Sequence, residues 1–70
     1  MPTLRVEMFA GRTLEQKRAL ARELTDATVR ALGVSAASVE VLFFDIERSD
    51  WAVGGTLCSE PSTAPPSPNV

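Results

Sequence analysis

The hydrophobic period of the chain changes twice between Thr3 and Asp45. Polar and apolar residues first alternate over residues 3–9, which is the period of a half-buried strand. Residues 13–32 then contain no Gly or Pro and are rich in Ala, Leu, Glu and Arg, which favours one long helix. Residues 38–45 form an apolar run typical of a strand that is covered on both faces. This order predicts a β-α-β unit with parallel strands, because a helical crossover of this length joins strands of the same direction in a right-handed connection.

Local signals mark both ends of the predicted helix. Thr13 and Gln16 have the spacing of a capping box, and Gly33 is positioned as the C-cap. Apolar residues at helical spacing predict the side that faces the core. That side consists of Leu20, Leu24, Ala27 and Ala31, flanked by Leu14, Ala21 and Thr28.

After a polar loop, residues 51–57 predict a short β-hairpin around a Gly-Gly turn. The expected fold class is therefore α/β (α+β): a β-α-β unit with a C-terminal hairpin. Residues 1–60 are expected to form one domain. Residues 61–70 are rich in Pro and Ser and, apart from Val70, lack large apolar side chains, which predicts a flexible tail.

The chain is too short to build a large core alone. Seventy residues bury only about 60% of the surface of the unfolded chain, and domains of this size usually need disulfides, a metal or a partner subunit. A disulfide is excluded because Cys58 is the only cysteine, and a metal site is not expected because the chain has no His and no recognisable ligand spacing. Two strands and one helix leave one face of the sheet open, so we expect another copy to cover it.

Charge and aromatic content argue against several partners. The net charge is −2 without a basic cluster, and the aromatic residues are one Trp and three Phe, which argues against nucleic acid and an anionic membrane surface. A single thiol and the absence of a long apolar run predict a cytoplasmic location.

Pro2 directly follows Met1. Met1 is commonly removed when proline is the second residue, and its removal here would leave a secondary amine at the start of the chain. An α-amino group ordinarily titrates near about 7.7–8.0, and burial beside a positive charge lowers that pKa. Pro2 could then act as a general base in a chain without histidine. The alternative is that Pro2 only blocks further trimming, and if Met1 is retained there is no free amine.

Three features in this order resemble the 4-oxalocrotonate tautomerase family. They are the Pro2 start, the Gly-Arg-Thr step at residues 11–13 and Trp51 before the Gly-Gly turn. The resemblance covers about residues 2–60, and its most specific run is Gly11-Arg12-Thr13-x-Glu15-Gln16-Lys17. It implies a keto–enol isomerase that needs no cofactor, assembled as an oligomer, most simply a hexamer.

The resemblance also implies roles for individual residues. Pro2 would be the base. Arg12 would bind the carboxylate of an enol or 2-keto acid, or would act as the electrophile that polarises its carbonyl. Trp51 and Phe9 are candidate substrate-binding residues. Arg12 also has a physical reason to bind anions, since it adjoins a predicted helix N-terminus. Taken singly, Arg12 is better explained as a surface arginine and Trp51 as a core or interface residue; their place in the motif favours a functional role for both.

Glu40 departs from the pattern, because well-studied members of the family carry a second arginine at this position. A carboxylate there would repel a dicarboxylate substrate. Glu40 could be a solvated strand residue, an acid or water-activating group, or an ion-pair partner across a subunit interface. Arg48, in the loop before Trp51, could supply the missing positive charge.

Three other functions stay open at this point. Relatives of the family hydrate or dehalogenate unsaturated acids with a protonated proline and a carboxylate that activates water. The chain could instead be a partial-site subunit of a hetero-oligomer, or a small interaction domain whose proline is incidental. The sequence does not name the substrate.

Overall fold

The computed structural model describes residues 1–61. The element order is strand, helix, strand and hairpin: β1 (Thr3–Phe9), α1 (Leu14–Leu32), β2 (Glu40–Ile46), β3 (Ala52–Val53) and β4 (Thr56–Leu57). β1 and β2 are parallel, and β3 and β4 form the antiparallel hairpin. The predicted β-α-β fold with its C-terminal hairpin is confirmed. The predicted tail, residues 61–70, lies outside the described residues from position 62 onward, so it stays a prediction.

The helix begins and ends where its capping signals predict. The Gln16 backbone N–H donates to Thr13 Oγ1 at 3.1 Å, and the Thr13 N–H donates to Gln16 Oε1 at 2.9 Å, which completes the capping box. At the other end Gly33 adopts a left-handed φ of 70° and its N–H donates to the Val29 carbonyl at 2.9 Å. These bonds satisfy backbone groups that a helix end would otherwise leave unpaired.

The second strand begins later than expected. It starts at Glu40 rather than Ser38, because residues 36–38 form a 3₁₀ turn. Both the backbone N–H and the hydroxyl of Ser38 donate to the Ser35 carbonyl, at 3.1 Å and 2.7 Å. A serine that bonds its own backbone in this way competes with strand formation.

Helix α1 packs on one face of the sheet, but its predicted core side was partly wrong. Leu20, Ala21, Leu24 and Thr28 are half-buried, whereas Ala27, Ala31 and Leu14 are exposed. A sheet of two strands is only about as wide as the helix itself. It therefore cannot cover the whole apolar stripe, and Ala27 and Ala31 border a groove that is open to solvent.

The opposite, open face of the sheet carries the alternate residues of β2, Leu42, Phe44 and Ile46. Leu42 is 47% exposed, and no residue of the described range 1–61 is fully buried. Within this range a single chain therefore has no enclosed core. No helix in the same range is long and apolar enough to cross a membrane.

Candidate active site

Pro2 lies at the end of the sheet where β1 begins. Its carbonyl accepts a hydrogen bond from the Glu40 N–H at 3.0 Å, which aligns the starts of the two strands. The Thr3 hydroxyl donates to Glu40 Oε1 at 3.3 Å and holds that carboxylate next to Thr3. We call Pro2, Thr3 and Glu40 the proline end. Its formal charge, apart from the chain terminus, is negative.

Pro2 also borders the groove between β1 and α1, which has a volume of about 430 Å³. The lining is almost wholly apolar and includes Leu4, Leu24, Ala27 and Ala31. Met1 precedes Pro2 and is 84% exposed. While Met1 is attached, the Pro2 nitrogen is part of an amide and is not basic.

Phe9 and Trp51 meet at the other end of β1. Their ring centroids are 4.7 Å apart with the planes tilted by 51°, within the range of favourable aromatic pairs. The guanidinium carbon of Arg48 lies 4.1 Å from the Phe9 centroid, a cation–π arrangement. We call Phe9, Arg48 and Trp51 the aromatic end. It combines two half-buried aromatic rings with one positive charge.

The C-terminal hairpin holds Trp51 in place. The Cys58 N–H donates to the Trp51 carbonyl at 2.8 Å, so the two ends of the hairpin are tied together. Gly54 and Gly55 form the turn with φ values of 62° and 86°. Two successive left-handed residues define the turn type that closes a two-residue hairpin without distorting its strands. The Gly-Gly turn thus helps to position Trp51, three residues before Gly54, as an aromatic wall.

Arg12 follows Gly11 and lies immediately before the N-terminus of α1. It lines a cavity of about 170 Å³ together with Met8, Gln16, Lys17 and Leu20. Two side chains of this cavity are cationic, and the helix N-terminus adds partial positive charge. Met8 and Leu20 supply apolar walls. A small carboxylate with an apolar body fits the chemistry of this lining.

Lys17 is already neutralised by a partner. Its ammonium forms an ion pair with Asp45 at the end of β2, and both side chains are partly exposed. Arg12 has no such partner among the described residues. The uncompensated charge of the cavity therefore belongs to Arg12. Sequence reasoning missed this pair, although a carboxylate that ends an apolar strand was a usable signal.

The structure brings together only some of the candidate site residues. Phe9 and Trp51 are in contact, and Arg12 lies at the same end of the sheet. Pro2 is separated from them by the length of β1, about 23 Å for seven residues at roughly 3.3 Å each. A small acid cannot reach both Pro2 and Arg12 of one chain. Arg48, which sequence reasoning could not position, is fixed here by stacking on Phe9.

Comparison with known proteins identifies the family. The sequence model of the Tautomerase enzyme family matches residues 2–60. A probable tautomerase of Ralstonia nicotianae is 40% identical over 65 residues, covering 93% of this chain and 100% of that protein. The 2-hydroxymuconate tautomerase of Comamonas testosteroni is 35% identical over 60 residues, covering 86% of this chain and 95% of that protein. The chain belongs to the tautomerase family, as the sequence resemblance indicated.

A solved structure of high similarity extends this comparison to the fold. It is a subunit of a heterohexameric 4-oxalocrotonate tautomerase from Chloroflexus aurantiacus, with a TM-score of 0.81 and 38% sequence identity. The match covers 86% of this chain and 97% of that chain. Residues 1–61 thus have the fold of a 4-oxalocrotonate tautomerase subunit. The relative itself is a heterohexamer.

Proposed function

We propose that this protein is a cofactor-independent tautomerase that moves a proton in an enol or keto acid, with the Pro2 nitrogen as general base. The observation that carries the proposal is the apolar groove around Pro2. Walls such as Leu4 and Leu24 offer the apolar part of a small acid a surface next to a free Pro2 amine. The match to the family model begins at Pro2.

The proposed complete site forms between copies of the chain. β1 is hydrogen-bonded to β2 on one side only, so its second edge is available in the described range. Antiparallel pairing of two such edges places the start of one β1 opposite the end of the other. Pro2 of one copy would then approach Arg12 and Trp51 of another. A hexamer built on this pairing is consistent with the hexameric relative.

The proposed substrate carries one carboxylate. Arg12 binds that carboxylate or polarises the carbonyl, and the developing enolate oxygen is stabilised by the same positive charge. Trp51 and Phe9 shield the reacting carbons from water. The backbone of Glu40 is hydrogen-bonded to Pro2, and the negative charge that Glu40 brings to this end of the sheet opposes a second carboxylate on the substrate. A monocarboxylate enol or 2-keto acid therefore fits better than a diacid.

The test compares the processed wild type with Pro2→Ala in the ketonisation of phenylenolpyruvate, after intact mass spectrometry has established that Met1 is absent from both. Loss of a positioned general base typically lowers the rate by about 10²–10⁴, and we expect kcat to fall toward this range. Arg12→Ala should raise KM and lower kcat together. Pro61→Ala, at an exposed position after the hairpin, is the matched control. A Pro2→Ala enzyme as fast as the wild type refutes the proposal.

A second candidate is a partial-site subunit of a hetero-oligomer. The separation of Pro2 from Arg12 within one chain favours it, because a subunit can then contribute only one of the two groups. The heterohexameric relative supports the same possibility. An inactive homo-oligomer that gains activity when mixed with a homologous subunit would establish this candidate.

A further inference from the structure

Arg48 is the positively charged side chain at the aromatic end, and its orientation is set by Phe9. Its guanidinium carbon is 4.1 Å from the ring centroid. Stacking of this kind uses the flat face of the guanidinium and leaves its edge N–H groups free to donate. No carboxylate of residues 1–61 forms an ion pair with Arg48. The arrangement is that of a pre-oriented cation with unused donors.

The same ring links Arg48 to the aromatic wall. Phe9 is also 4.7 Å from Trp51, so the guanidinium, Phe9 and Trp51 form one continuous surface. Arg12 belongs to a different surface, because its cavity is lined by Met8 and Leu20 on the helix side of the sheet. Met8 and Phe9 are consecutive strand residues, whose side chains point to opposite faces. An acid bound against Phe9 and Trp51 therefore meets Arg48, the cation that stacks on Phe9, rather than Arg12.

We propose that Arg48 is a substrate-binding residue that anchors the carboxylate of the acid, with its apolar body against Phe9 and Trp51. This assignment rests on the proposed function and deepens it. The N–H groups at the edge of the guanidinium can donate two parallel hydrogen bonds to a carboxylate. Because the face of the guanidinium is already stacked on Phe9, less side-chain entropy is lost on binding.

The primary test is a direct binding measurement that needs no turnover. Trp51 is the only tryptophan, so its fluorescence reports a ligand that binds beside it. We expect phenylpyruvate to bind Arg48→Gln at least about tenfold more weakly than wild type, the effect of losing charge-assisted hydrogen bonds. Arg48→Lys keeps the charge without the planar fork and should fall between the two. Arg22→Gln, at an exposed position of α1, is the matched control and should bind as wild type does.

Kinetics separate carboxylate binding from a change of pocket shape. For Arg48→Gln we expect KM for phenylenolpyruvate to rise by a similar factor with little change in kcat. The methyl ester of the same enol has no carboxylate, so its KM should not change. Unchanged binding of phenylpyruvate to Arg48→Gln overturns the assignment, and so does an equal rise in KM for acid and ester.

A third outcome identifies a different partner for Arg48. Glu40 of another copy is the competing anion, since the proline end is negative and the aromatic end is positive. If Arg48→Glu is inactive and the double charge reversal with Glu40→Arg regains activity, Arg48 pairs with Glu40 and the substrate assignment is wrong. Failure of the proposed function is a separate result, because Pro2→Ala would then keep its rate whatever Arg48→Gln does to binding.

Discussion

Leu42 provides a quantitative test of whether the open face of the sheet is an interface. Full burial of a leucine side chain contributes about 1.5–3 kcal/mol. Leu42 is 47% exposed in the single chain, so covering this face adds roughly half of that amount, about 0.7–1.4 kcal/mol per copy. A two-fold interface contains each residue twice. Leu42→Ala should therefore weaken such an interface by about 1.5–3 kcal/mol, or about tenfold to a hundredfold in its dissociation constant.

Sedimentation velocity over a dilution series measures this effect. Circular dichroism at the same concentrations should show helix loss together with dissociation, because residues 1–61 of one chain contain no fully buried residue. Leu14→Ala is the matched control: it removes the same atoms from a side chain that is 64% exposed on the first turn of α1. If Leu42→Ala assembles as tightly as Leu14→Ala, the open face is not an interface. A compact, cooperatively folded monomer of the wild type would refute the reasoning as a whole.

Two further predictions follow from individual hydrogen bonds. Thr13→Ala removes the side-chain half of the capping box and should lower the free energy of unfolding by about 1 kcal/mol; urea denaturation at fixed protein concentration measures it, and an unchanged midpoint contradicts it. Glu40→Arg should lower KM for a dicarboxylate such as 2-hydroxymuconate several-fold. The upper limit is about tenfold, the effect of gaining one charge-assisted hydrogen bond. Glu40→Gln separates loss of the negative charge from gain of the positive one, and equal KM values in all three proteins would exclude charge repulsion as the cause.

The helix and turn boundaries could be predicted because they depend on neighbouring residues. Thr13 and Gln16 are three positions apart and bond each other, and Gly33 bonds a carbonyl four residues earlier. The Gly54-Gly55 turn likewise depends on backbone freedom at two adjacent positions. The start of β2 was missed by two residues because the Ser38 turn competed with strand pairing, and strand propensity alone does not weigh that competition.

Only the tertiary structure decided which residues meet across the chain. The apolar spacing of α1 predicted one stripe, but only packing on a sheet of two strands decided how much of it is covered: Leu20 and Leu24 are half-buried, whereas Ala31 borders a groove open to solvent. The sequence by itself determined the β-α-β order and the family, and it singled out Pro2, Arg12 and Trp51 as candidate site residues. It also placed Pro2 and Arg12 at opposite ends of β1, but it did not determine that Trp51 meets Phe9 at the Arg12 end, or that Arg48 stacks on Phe9. Those relations depend on strand register and on contacts between segments about forty residues apart along the chain, for which local periodicity carries no information.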